Sequence, residues 1–130
     1  MKIQDARGHL REIVIGAGAL IAVLAVYMFS GPTVYSGVTE VSMRDDGFSP
    51  AVIHVTRGTR VRFFNEGSFW HWPASDPHPT HDRYFGLDPL RGLAPHEAWV
   101  FAFDVVGTWG MHDHLDPSLR LRVVVVGDSE

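Results

Sequence analysis

Beyond residue 50 the chain is written in short runs whose apolar residues recur at every second position. That period suits strands and not helices. Residues 51–56 set Ile53 and Val55 against Val52, His54 and Thr56, and residues 59–64 set Val61 and Phe63 against Arg60, Arg62 and Phe64. Trp99, Phe101 and Phe103 alternate with Ala98, Val100 and Ala102, and Leu121, Val123 and Val125 with Arg120, Arg122 and Val124. Turn-forming residues at Arg57-Gly58, Asn65-Glu66-Gly67 and Val106-Gly107 bound these runs. Six or seven such runs in under a hundred residues, with no competing 3.6-residue period, predict an all-β sandwich or barrel.

A chain of 130 residues holds one modest domain. A 45% apolar content with 20% charged residues predicts that most of it folds. The net charge of −4 argues against a nucleic-acid partner, which would have to be held through phosphate neutralisation. The chain has no cysteine, which removes disulfide frameworks, zinc ribbons, iron–sulfur ligation and thiol nucleophiles together. It has eight histidines, a number that invites a metal without specifying one.

The N-terminal third has a different character. Residues 1–12 are polar and carry Lys2, Arg7 and Arg11; residues 13–29 are 17 apolar residues without a charge, and no charge follows until Glu40. At about 1.5 Å per residue the apolar run covers roughly 25 Å, and Leu10, Ser30 and Gly31 extend it toward a full bilayer span. Met28-Phe29-Ser30 is a poor small-x-small cleavage site, so a retained single-pass anchor is expected over a cleaved signal peptide. Three cations precede the helix and none follows until Arg44, which predicts a cytoplasmic N-terminus and an outer C-terminal domain. With a single lysine among eleven basic residues the usage looks bacterial, and the compartment outside is then the periplasm. The expected organisation is a cytoplasmic segment 1–12, a transmembrane helix 13–31, a turn-rich linker 32–37 and an all-β domain 38–130.

One stretch does not alternate. Residues 71–93 (HWPASDPHPTHDRYFGLDPLRGL) hold four prolines and three histidines in 23 residues. A connection of that length without regular structure is unusual in a compact domain unless it is functional.

Three segments resemble the cupredoxins, the copper-protein fold of plastocyanin, azurin and the multicopper oxidases. DGFSPAVIHVTRGTRVRFFNEGSFWH (46–71) resembles the family's opening strands, followed by an Asn and, six residues on, a first copper-ligand histidine, here His71. LAPHEAWVFAFDVVGTW (93–109) resembles the hairpin that leads into the ligand loop. GTWGMHDHL (107–115) resembles the G-x-W-x-x-H-C-H-x stretch of multicopper oxidases. The resemblance covers residues 38–126 and implies a Greek-key β-sandwich.

The departure from the family pattern constrains function more than the match does. Asp113 stands where the copper-ligating cysteine belongs, and the following LDPSLR supplies neither the later histidine nor the axial methionine. A blue site takes its colour and fast electron transfer from a Cu–thiolate bond in a His2Cys set, so residue type excludes a blue-copper carrier. His112 and His114 share one face near a strand end and Asp113 takes the other. The resemblance implies that Asp113 approaches His71. The proline-rich loop offers Asp76, His78, His81 and Asp82, and its bends can bring one imidazole over the same pocket. The expected ligand set is His71, His81, His112, Asp113 and His114, an imidazole and carboxylate set that suits Cu(II), zinc or nickel.

Two readings remain open at this level. One is a membrane-anchored periplasmic cupredoxin-like protein with a non-blue, thiolate-free copper-type or zinc site, storing, sensing or delivering the ion. The other is a metal-free accessory subunit of a respiratory or photosynthetic membrane complex, its anchor packed through Gly16-Ala17-Gly18-Ala19 and Ala22. In both the lipid bilayer is a partner and nucleic acid is not. Ligands of this kind can activate water, but no general base stands out and the domain is small for a substrate cleft, so an enzyme is not expected.

Overall fold

A computed structural model describes residues 31–128. The expected cytoplasmic segment 1–12 and nearly all of the expected transmembrane helix 13–31 lie outside the described residues. Within them there is no helix. The described residues form nine strands: β1 (Val34–Tyr35), β2 (Val38–Arg44), β3 (Gly47–Ser49), β4 (Val52–Thr56), β5 (Thr59–Asn65), β6 (Pro73–Ser75), β7 (Ala98–Phe103), β8 (Gly107–Asp113) and β9 (Arg120–Val126). Residues 34 and 35, inside the stretch read as a linker, pair in parallel with β4, Val34 opposite His54.

The strands build two sheets, in the order β1-β4-β9-β8-β6 and β3-β2-β5-β7. Gly58 sits at a φ of +85° in the turn that carries the chain from β4 in one sheet to β5 in the other, a conformation glycine adopts without a side-chain clash. The period-two patterning decides what each sheet buries. Val61 and Phe63 of β5, Ile53 and Val55 of β4, and Leu121, Val123 and Val125 of β9 join one core with Val41, Met43, Phe103 and Met111. Removing a side chain of this size from water contributes roughly 1.5–3 kcal/mol. In β7 the aromatic face is only partly buried: Trp99 stacks on Phe63 at a ring-centroid distance of 5.7 Å, while Tyr84 packs edge-on to Phe101 and Trp109 at 5.3 and 4.7 Å.

The non-alternating stretch is not wholly irregular, because its residues Pro73–Ser75 form β6, an edge strand antiparallel to β8. Proline is tolerated there because a strand's first residue at a sheet edge need not donate to the ladder. The register puts Pro73 opposite Asp113, Ala74 opposite His112 and Ser75 opposite Met111. The loop that follows β6 is thereby fastened beside the C-terminal end of β8, where the histidines are.

Candidate metal centre

Strand geometry splits the His112-Asp113-His114 run between two environments. Asp113 turns to His71: His71 Nδ1 lies 2.5 Å from Asp113 Oδ2, and both side chains are buried. The other oxygen of Asp113 accepts the backbone N–H groups of Trp72 and Leu115, each at 2.9 Å. His71 Nε2 lies 3.2 Å from Asp45 Oδ1. Both ring nitrogens of His71 thus face carboxylates, and Asp113 has three partners. Asn65 brings His71 to this place: its buried amide donates to the carbonyls of Phe69 and Leu93 at 2.8 and 2.9 Å, closing the loop before His71. The peptide of His71 then bridges to Leu93 in both directions, at 3.1 and 2.7 Å.

The charges around this pair are arranged to hold it. The Ser68 backbone N–H lowers the Asp45 carboxyl below its usual range; burial works against that, and Phe69 and His71 assist.

His112 and His114 face the other way and meet His78 and His81 from the proline-rich loop. One ring nitrogen from each of the four lies within 4.8 Å of the others. His78 Nδ1 is 3.3 Å from His112 Nε2, and His114 Nδ1 is 2.9 Å from His81 Nε2. Of the residues named from sequence, His81, His112 and His114 come together in this cluster, and His78 joins them. His71 and Asp113 pair with each other outside it. The sequence offers His78 as one of two loop histidines, outside the expected ligand set. The signal for it was the His78-Pro79-Thr80-His81 spacing, which delivers both rings to one place.

Three of the four rings are held by neighbouring side chains. The Nδ1–H of His112 donates to Asp76 Oδ1 at 2.9 Å, and the other Asp76 oxygen accepts from the Arg120 guanidinium. The Nδ1–H of His81 donates to Asp88 Oδ2 at 2.6 Å, while Asp88 Oδ1 accepts from Trp72 Nε1 and the Leu90 N–H, both at 2.7 Å. His114 packs on Trp72 with ring centroids 4.5 Å apart. The backbone of His81 is left-handed, with φ of 55°, a conformation unfavourable for a side-chain-bearing residue and one that over-determined sites retain.

These contacts fix the tautomers. With Nδ1 protonated toward a carboxylate, Nε2 of His81 and of His112 presents a lone pair to the cluster. Burial pushes the pKa of His112 and of His114 down, and charge on His81 or His78 adds to that effect; Asp76 opposes it at His112. Asp88 stays ionised. Burial raises its pKa, but the bonds from His81, Trp72 and Leu90 outweigh that and hold it low. Burial therefore favours the neutral imidazoles of His112 and His114 while Asp88 stays a carboxylate, the protonation states that metal binding requires.

The donor set fits a metal ion. Bonds of about 2.0–2.1 Å to imidazole separate tetrahedral ligands by about 3.3 Å and in-plane neighbours by about 2.9 Å. The His78 Nδ1–His112 Nε2 and His114 Nδ1–His81 Nε2 pairs, at 3.3 and 2.9 Å, have those separations. All-imidazole sets suit Cu(II), zinc and nickel. His112 and His81 are buried, His114 half-buried and His78 exposed, so the cluster opens to solvent on one side.

No protein-family model and no curated protein matches the chain by sequence. Solved structures do match its fold. The copper-containing nitrite reductase from Thermus scotoductus SA-01 aligns with a TM-score of 0.57 and 20% identity over 70% of this chain, which spans only 23% of the reductase. A reduced amicyanin variant aligns at 0.59 and 20% identity, covering 69% of this chain and 83% of amicyanin. The purple cupredoxin from Nitrosopumilus maritimus aligns at 0.56 and 16% identity, covering 68% of this chain and 99% of its own. These neighbours comprise both an enzyme and small copper proteins. With two sheets in this order and an aspartate where the resembled motif has its cysteine, the described domain has the cupredoxin fold.

Proposed function

We propose that the protein is a membrane-anchored, periplasmic cupredoxin-like protein that holds a copper-type ion through His78, His81, His112 and His114. In this reading it stores or delivers the ion; it does not act as a blue electron carrier or an enzyme. The observation that supports it is the convergence of four imidazole nitrogens, two of them on rings whose far nitrogen is pinned by a carboxylate. In the metal-free chain His114 Nδ1–H donates to His81 Nε2 at 2.9 Å, and a bound ion would take the place of that proton between the same two nitrogens. The absence of cysteine supports a thiolate-free site that binds without fast redox exchange. The apolar segment 13–29 and the flanking cations support the anchor and its orientation.

The test is metal analysis of the full chain purified in mild detergent after exposure to Cu(II) or Zn(II). One equivalent retained through desalting, and lost in His112→Ala and His81→Ala, supports the reading. An empty chain of unaltered stability overturns it. Resistance of the chain to carbonate extraction from membranes tests the anchor separately.

The accessory-subunit reading has one observation in its favour. Phe69, Trp70 and Leu90 are large apolar side chains left 69%, 58% and 79% exposed in the loops flanking the two histidine groups, as surfaces that meet a partner often are. Co-purification with a large membrane complex in mild detergent tests it.

A further inference from the structure

The four imidazoles of the cluster are not held equally. His81 and His112 are each locked through Nδ1 to a carboxylate, and His114 is wedged against Trp72. His78 is exposed, and among the described residues its only hydrogen-bond contact is the 3.3 Å approach of Nδ1 to His112 Nε2. Its backbone lies between Pro77 and Pro79, whose rings fix φ on both sides. The main chain there is stiff, so the ring leaves the cluster by side-chain rotation alone, a motion of picoseconds to nanoseconds for an exposed residue.

Charge indicates what takes its place. A dication in four neutral imidazoles is met by two carboxylates in contact with its ligands, Asp76 and Asp88. Asp76 is already neutralised by the Arg120 guanidinium. Asp113, next to His114 in the chain, is engaged by His71 and the backbone N–H groups of Trp72 and Leu115, so Asp88 is left to offset the dication and a small monoanion completes the balance.

Building on the metal reading above, we infer that His78 is an exchangeable ligand: His81, His112 and His114 retain the ion, and the position of His78 Nδ1 accepts a small monoanionic donor from solvent. The incoming donor forms one bond to the metal as the bond to His78 breaks, and neither oxidation state nor proton count changes.

The experiment uses the full chain in detergent loaded with Cu(II), with azide as the probe. Azide binding is read from its charge-transfer absorption and from nitrogen superhyperfine structure in the EPR spectrum, with the histidine nitrogens isotopically labelled so that they are distinct from those of azide. In the unaltered chain azide should bind while one histidine nitrogen leaves the spectrum. His78→Ala should keep one copper per chain and bind azide about tenfold tighter, because the site no longer has to be vacated first. His112→Ala should lose the copper. Loss of copper from His78→Ala equal to that from His112→Ala overturns the inference, as does azide affinity in His78→Ala no greater than in the unaltered chain. Failure of the unaltered chain to hold copper overturns the metal reading itself, and this inference with it.

Discussion

Asp88→Asn exchanges one carboxylate oxygen for an amide group at nearly constant volume, and the neighbours dictate which oxygen is lost. Trp72 Nε1 and the Leu90 N–H, each 2.7 Å from Asp88 Oδ1, are donors that cannot accept. The asparagine carbonyl must therefore stay on their side, and its NH2 must face His81 Nδ1. That nitrogen now has to accept, which moves the imidazole proton to Nε2, the atom 2.9 Å from His114 Nδ1 that would bind the ion. A metal then either forces the tautomer back, setting two N–H groups against each other, or loses this ligand. Loss of such an outer-shell partner lowers metal affinity about 10–100-fold, equivalent to about 1.4–2.8 kcal/mol. The metal-free protein keeps two of the three hydrogen bonds at this side chain and exchanges a charge-assisted bond for a neutral one, so its stability should fall by only about 1 kcal/mol. Competition titration against a chromophoric chelator measures the affinity, and nitrogen NMR of the imidazoles reports the His81 tautomer. An affinity within about twofold of the unaltered protein, with the tautomer shown to have inverted, refutes the claim that His81 binds through Nε2.

Other perturbations separate the two histidine groups. Asp113→Ala strands His71 Nδ1 and the N–H groups of Trp72 and Leu115 in a buried setting, so urea denaturation of the metal-free protein should show a loss of about 3–5 kcal/mol; unchanged stability with lost metal would make Asp113 a ligand instead. Gly110→Ala places a Cβ against the Asp76 carboxylate, so it should weaken metal binding by about tenfold while far-UV and near-UV circular dichroism stay unaltered. His112 and His114 have folded pKa values below the 6.5 of an unfolded histidine, so unfolding takes up protons below that pH. The Tm of the metal-free chain should accordingly be level above about pH 6.5 and fall as the pH drops from there, and should fall further below about pH 4, where Asp45 and Asp88 protonate more readily in the unfolded chain. A Tm that rises between pH 6.5 and 5 contradicts burial of neutral imidazoles.

The core strands were legible in the sequence because a half-buried strand writes its burial into alternate residues. Ile53 and Val55, Val61 and Phe63, and Leu121, Val123 and Val125 are buried as their spacing requires. β7 was less clear, since Trp99 and Phe101 lie on the apolar face yet remain half-buried, with Tyr84 from the loop covering part of them. β6 left no signal at all: Pro-Ala-Ser has no period, and its place in the sheet depends on a register with β8 that only the folded chain supplies. The same limit applies to the site. The sequence marked the histidines and Asp76 but not Asp88, nor which ring each carboxylate holds, because these are ordinary loop residues until β6 and the turn after it set them beside His112 and His81.

A strand of period two gives adjacent residues opposite surroundings, and at the end of β8 that geometry separates two chemistries. In the resembled motif the middle residue of the run is a thiolate that binds copper together with the first histidine. Here the middle residue is Asp113, and its carboxylate is saturated by His71 and two backbone N–H groups. His71 Nδ1 and Asp113 Oδ2 stand 2.5 Å apart, at hydrogen-bonding distance. These bonds tie the loop before β6 to the end of β8. His112 and His114, turned to the opposite face by the same alternation, are untouched by that exchange. They are free to combine with a loop that carries its own two histidines and both supporting carboxylates. An aspartate in place of the motif's cysteine therefore excludes thiolate–copper chemistry on one face of the strand, while the other face keeps four imidazole nitrogens close together.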